Sequence, residues 1–134
     1  MNSQDPASNT PRSNVLPARI AAGMGFLAVA LGAFGAHSLK YILLRNDTVA
    51  IWEKAVFYHF IHAVMMFVLT LRQPLPKVSW SCFLIGIVLF SGSLYLLAVT
   101  NHRWLGAITP LGGICFLVGW GFLACCPKIK EPGQ

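Results

Sequence analysis

Four long apolar runs constrain this chain more than anything else in it: residues 20–39, 55–71, 80–99 and 105–125. Each is close to the ~20 residues that an α-helix needs to cross the hydrocarbon of a bilayer. Short polar links separate them and leave no room for a separate soluble domain. The charge content agrees: 10% of the residues are charged, against about 25% in a soluble domain. Too little polar surface is present to cover a core in water, so lipid must take its place. The expected fold is all-α, a four-helix transmembrane bundle spanning 19–126. A polar, disordered tail over 1–18 should precede it, and a polar tail over 127–134 should follow.

The tail is rich in Ser, Asn and Pro, and such a segment buries too little apolar surface to offset the entropy of ordering. Arg12 and Arg19 then flank the first run in the manner of a secretory leader. The run is longer than a leader core and three more follow, so it reads as a retained anchor. The formal charge of +6 does not read as nucleic-acid binding, because the cations stand singly between apolar runs with no basic cluster. They serve instead to orient the spans. Arg12, Arg19, Arg72, Lys77, Lys128 and Lys130 fall on one side, and Lys40, Arg45, Lys54 and Arg103 on the other. That excess places both termini in the cytoplasm.

Small residues mark the helix contacts. Gly25, Ala28, Gly32 and Gly35 form one stripe of the first run, and small residues let neighbouring backbones approach. Gly23, Ala30 and Ala33 lie on the opposite face, so burial on two sides is expected. Cys82, Gly86, Ser93 and Thr100 form a second stripe in the third run, with Gly92 beside it. Asp47 and Thr48 are placed to cap the second helix, and Trp52 suits the headgroup region. In the fourth run Pro110 either opens a shorter helix with Thr109 or kinks a longer one, with Gly112, Gly113 and Gly119 receiving a neighbour. The apolar stretch 105–108 favours the kink.

Residues 57–66 hold the deepest polar side chains, Tyr58, His59 and His62. A charged group at mid-bilayer costs about 2.5 kcal/mol or more and usually faces the bundle interior. The plainer expectation is a neutral His62 bonded to Ser93, Tyr95 or a backbone carbonyl and tying helices together. The sharper one is a proton relay or substrate contact in a small transporter, drawing on His37, Tyr58, His62, Ser91 and Ser93. His37, His59 and His102 project toward one membrane side, but no carboxylate or thiolate joins them, so no metal and no cofactor is expected. All four carboxylates lie outside the apolar cores. A Ser-His-acid set therefore lacks its third member, and Cys82 or Cys115 with His62 has no supporting spacing. The chain does not read as an enzyme.

Gly32 to His37 (GAFGAH), Tyr58 one turn before His62, Phe90 to Tyr95 (FSGSLY), and Thr109 to Gly113 (TPLGG) with Phe116-Leu117 and Gly119-Trp120 occur in this order. Together they resemble the YgdD/YwdK-like family of small four-span membrane proteins, over about residues 20–123. His37 and His62 match the family's pattern and His59 does not. The resemblance implies a multi-pass protein of a bacterial inner membrane and supplies no reaction. The expected partners are the lipid bilayer and either further copies of the chain or another membrane protein. The reading is thus a structural or interaction component acting through helix packing; the alternative is a small transporter or channel subunit.

Overall fold

The computed structural model describes residues 14–125. Residues 1–13 and 126–134, with Arg12, Lys128 and Lys130, lie outside the described residues. Six α-helices follow one another: α1 (Val15–Ala36), α2 (Lys40–Arg45), α3 (Val49–Thr70), α4 (Lys77–Gly86), α5 (Gly92–Thr100) and α6 (Thr109–Cys125). A π-helical turn, Ile87–Ser91, joins α4 to α5 without a break, and a 3₁₀ turn, Arg103–Ala107, leads into α6. No strand occurs among the described residues.

Three of these rods are long and apolar enough to cross a membrane: Val15–Ala36, Lys77–Thr100 and Arg103–Cys125. α3 has the same 22-residue length as α1, but Glu53, Lys54, His59 and His62 dilute its apolar character. The rods alternate in direction. Asn14, just before α1, donates from Nδ2 to the carbonyls of Thr70 (2.9 Å) and Arg72 (3.0 Å). This fastens the start of α1 to the end of α3. At the other end, Thr48 Oγ1 donates to the Ala98 carbonyl at 2.8 Å, and Asn46 Nδ2 donates to Ala98 and Val99 at 3.1 and 3.0 Å. The last carbonyls of a helix have no partner within it, and here neighbouring side chains supply the partner at both ends of the bundle.

Several boundaries differ from the sequence reading, each for a local reason. α1 begins at Val15, so residues 15–18 belong to a helix and not to the tail. α3 begins at Val49 and not at 55, since two charged residues in its first turns do not prevent helix formation. Asp47 does not open α3; it closes α2 from the left-handed region, with φ 54°. The Thr48 and Asp47 amides donate to the Leu43 and Leu44 carbonyls at 2.9 and 3.2 Å, the paired closure that ends many helices. Trp52 is buried, with its Nε1 donating to the Leu31 carbonyl at 3.1 Å.

The expected kink at Pro110 is absent. The Ile108 and Leu111 amides donate three residues back, to Leu105 and Ile108, and Pro110 is the second residue of α6. In the first turn of a helix the missing N–H costs nothing, because it would have no partner there. The alternative reading, a shorter helix opened by Thr109 and Pro110, describes the structure.

α1 packs on α3, and α6 packs on α4 and the π turn, with α3 and α4–α5 in between. Burial follows that order. Only 11% of the apolar window of α1 is buried, against 44% for the α4–α5 rod. Ala21, Ala28 and Gly35 are the buried residues of α1, a seven-residue repeat that sets a small-residue seam against α3. Gly23 and Ala33, expected on a second packing face, are exposed, so α1 is covered on one side only.

The glycines separate into two groups. A Cβ at Gly35 would collide with the Trp52 indole, at Gly86 with the Phe116 ring (2.5 Å), and at Gly119 with the Phe83 ring (2.5 Å). At Gly112 it would meet the backbone of Phe90. Gly32 makes ordinary contact with Val56 at 3.4 Å, and Gly113 has slack, at 3.9 Å from Phe90. Gly25 and Gly92 have nothing within 4 Å and receive no neighbour within this chain. Gly86, by contrast, belongs with the packing set.

Candidate functional site

The core has two apolar clusters. One gathers Ala63, Met66 and Leu69 of α3 with Phe83, Ile87 and Phe116. The other gathers Leu43, Trp52 and Ala98. Along α3, the stretch from Tyr58 to His62 lies between them. A layer of aromatic and imidazole rings fills that level.

His62 is the centre of this layer and is 5% exposed. Its Nδ1 stands 2.8 Å from the Tyr58 carbonyl. A carbonyl only accepts, so Nδ1 carries the proton. Trp120 Nε1 of α6 donates to His62 Nε2 at 3.3 Å. An indole N–H only donates, so Nε2 is the bare nitrogen. Both ring nitrogens are used, and the two bonds select one neutral tautomer. The Phe116 ring lies parallel to the imidazole at a centroid distance of 3.6 Å and an angle of 9°. Phe83 approaches from α4 at 5.4 Å, and Tyr58 stacks at 6.1 Å. Tyr58 also packs on Phe90 of the π turn at 4.6 Å.

His59 forms a second contact on the same helix. It is 2% exposed, and its Nδ1 pairs with the Tyr95 hydroxyl at 3.2 Å. The Met24 backbone faces the ring from α1, but Nε2 has no partner at hydrogen-bond geometry. Ser91 Oγ, wholly buried in the π turn, has none either.

The proposed intramembrane set is only partly assembled. Tyr58 and His62 stand together. Ser93 turns elsewhere: its Oγ donates to the Phe90 carbonyl at 2.9 Å and accepts from Thr109 Oγ1 at 2.9 Å. That contact ties α5 to the start of α6. His37 is exposed at the end of α1, outside the layer. Of the expected partners for His62, the backbone carbonyl is present, Ser93 is not, and Tyr95 serves His59.

Sequence reasoning missed Trp120 as the interhelical partner and Phe116 as the clamp. One signal was available. An indole N–H inside an apolar run needs an acceptor. His62 lies eight residues from the end of α3, and Trp120 lies five from the end of α6. With α3 and α6 running the same way, the two fall at similar depth.

The layer contains no carboxylate; Asp47 and Glu53 are exposed near the Thr48 end of the bundle. Cys82, Cys115 and Cys125 are unbonded thiols, and both nitrogens of His62 are engaged elsewhere. Among the described residues, no three of His, Cys, Asp and Glu gather as metal ligands. His37 and His102 are exposed while His59 is buried, so these three do not meet. The arrangement ties α3, α4 and α6 together through ring contacts and the Trp120–His62 hydrogen bond.

A profile described as "Protein of unknown function (DUF423)" matches residues 31–113. The chain is 47% identical over 98 residues to a UPF0382 membrane protein of Staphylococcus epidermidis, covering 70% of this chain and 80% of that one. It is 46% identical over 101 residues to the UPF0382 membrane protein YwdK of Bacillus subtilis, covering 70% and 80%. A UPF0382 membrane protein of Haemophilus influenzae is 40% identical over 104 residues, covering 75% and 83%. No solved structure matches.

Proposed function

The chain belongs to the DUF423 family of UPF0382 membrane proteins, and from that premise we propose that it is a non-enzymatic structural or interaction component of the membrane, acting through helix packing. The observation that carries this reading is the state of His62. A relay needs a nitrogen free to take a proton from water, and both nitrogens here are held by the bundle itself. The open face of α1 supplies the means of interaction. It is apolar, one-sidedly packed and bordered by small residues, so another helix can approach closely.

The reading places α3 across the bilayer with the other three rods, since 22 residues reach about 33 Å. The side of the bundle with Arg72 and Lys77 then faces the cytoplasm, as do both termini, in the inner membrane of a bacterium. Reporter fusions at the C-terminus should be active in the cytoplasm and silent outside. The reverse pattern would sink this orientation.

Labelling at position 62 tests the carrying observation. With Cys82, Cys115, Cys125 and Cys126 replaced, His62→Cys should resist a membrane-impermeant thiol reagent from both sides, while Asn101→Cys reacts. Reaction at position 62 would mean that water reaches mid-bilayer and would favour a transporter or channel subunit. One observation favours that second reading: the π turn with its partnerless Ser91, since π turns are frequent at functional sites. A protein that stays monomeric in lipid and captures no membrane partner would remove the interaction reading.

A further inference from the structure

An apolar groove of about 830 Å³ runs between α1 and α3. Its wall includes Val29, Gly32 and Ala33 from α1 and Phe60 from α3, and two charged residues, Lys40 and Glu53, also line it. The volume lies within the ~300–1,000 Å³ range of small-ligand sites, which are mostly apolar with few polar groups.

The dimensions fit one leaflet. From Glu53 to Phe60 is seven residues of α3, and from Val29 to Ala36 is seven of α1. Either distance is about 10 Å, inside the ~15 Å of one leaflet's hydrocarbon, half of ~30 Å. Both charges stand at the shallow end, and only apolar residues line the deep end. We propose that this groove binds one glycerophospholipid with a zwitterionic aminoethyl-phosphate headgroup. An acyl chain lies in the groove, the Lys40 ammonium pairs with the phosphate, and the Glu53 carboxylate accepts from the primary ammonium.

The two signs select the headgroup. An anionic phospholipid satisfies Lys40 but sets its negative charge beside Glu53. A phosphatidylcholine carries both charges, but its trimethylated nitrogen has no N–H to donate, so Glu53 gains no charge-assisted hydrogen bond. A second copy of the chain filling the groove would bury Lys40 and Glu53 against an apolar helix, which leaves both charges without partners. The assignment goes beyond the helix-packing role and rests only on α1 and α3 both crossing the bilayer. The fusion experiment above tests that premise separately.

The full chain, purified in mild detergent, would be offered equal amounts of phosphatidylethanolamine, phosphatidylcholine and phosphatidylglycerol with identical acyl chains. Native mass spectrometry would read the lipid retained. Phosphatidylethanolamine should be favoured over each of the others by roughly fivefold, the ratio that one ordinary hydrogen bond at an exposed site supplies. Glu53→Gln should abolish its preference over phosphatidylcholine, and Lys40→Gln should lower retention of all three. Ala33→Trp fills the groove from an exposed position and should remove bound lipid with the melting temperature unchanged. Val29→Trp repeats that test if the first variant does not fold. Equal retention of the three lipids, preference for phosphatidylglycerol, a lipid-free dimer, or wild-type retention by the tryptophan variants would each overturn the assignment.

Discussion

Gly112→Ala is expected to lower the stability of the folded bundle by about 2 kcal/mol, within the usual range for overpacking a tight contact. A Cβ there would stand 2.7 Å from Cβ and 2.8 Å from Cα of Phe90, and closer still to its nitrogen. These are backbone atoms and their neighbour, so no side-chain rotation relieves the clash; α6 must move away from the π turn. Gly25→Ala and Gly92→Ala provide the controls. Nothing lies within 4 Å of either, so alanine there should be neutral or stabilising by up to about 1 kcal/mol, the helix-propensity gain over glycine. Detergent-titration unfolding of the three variants would separate the cases. If Gly112→Ala unfolds together with the controls, the close seat of α6 on the π turn is not part of the fold.

That seat governs the histidine layer as well. Gly112, Phe116 and Trp120 are spaced four residues apart, so they rise along one face of α6. Setting Gly112 against Phe90 fixes the distance at which Phe116 and Trp120 meet His62. The π turn takes part from the other side, since it presents the Phe90 backbone to Gly112 and the Phe90 ring to Tyr58. A contact at one end of α6 thus positions a hydrogen bond two turns away.

Why some of this was legible and some was not follows from what each signal measures. Run length and charge scarcity report on solvent, so the all-helical membrane class was readable directly. Glu53 and Lys54 mark polarity and so point to a start of α3 at 55, while the helix begins at Val49, just after Asp47 closes α2. Pro110 was ambiguous because an apolar flank does not distinguish a 3₁₀ turn from an α-helical one. The small-residue stripes identified faces able to pack without saying which had a neighbour. Gly35 and Gly112 do, whereas Gly25 and Gly92 do not. Depth singled out His62, but its partner lies 58 residues away, and no local periodicity points there. His37 is the same residue type as His62, yet the end of α1 leaves it exposed.

Phe116→Ala should cost about 2 kcal/mol or more, less than the 3–5 kcal/mol typical of a soluble core. The difference has a physical source. In water, the deleted ring also forfeits its transfer from solvent. In a bilayer the unassembled helix already sits in hydrocarbon, so only the lost packing and the cavity remain. Phe116 is 4% exposed and lies against His62, Phe90 and Gly86, so the cavity opens between three helices. Phe116→Leu should recover much of the loss. Trp120→Phe removes one interhelical hydrogen bond and should cost about 0.6–1.7 kcal/mol. The two losses should overlap by about 0.5 kcal/mol or more in the double variant. An imidazole released from the Phe116 ring no longer holds Nε2 toward the indole, so the bond is already weakened when Trp120 is changed. Strictly additive losses would mean that Trp120 holds His62 without help from the stacked ring, and that the aromatic layer is two separate contacts.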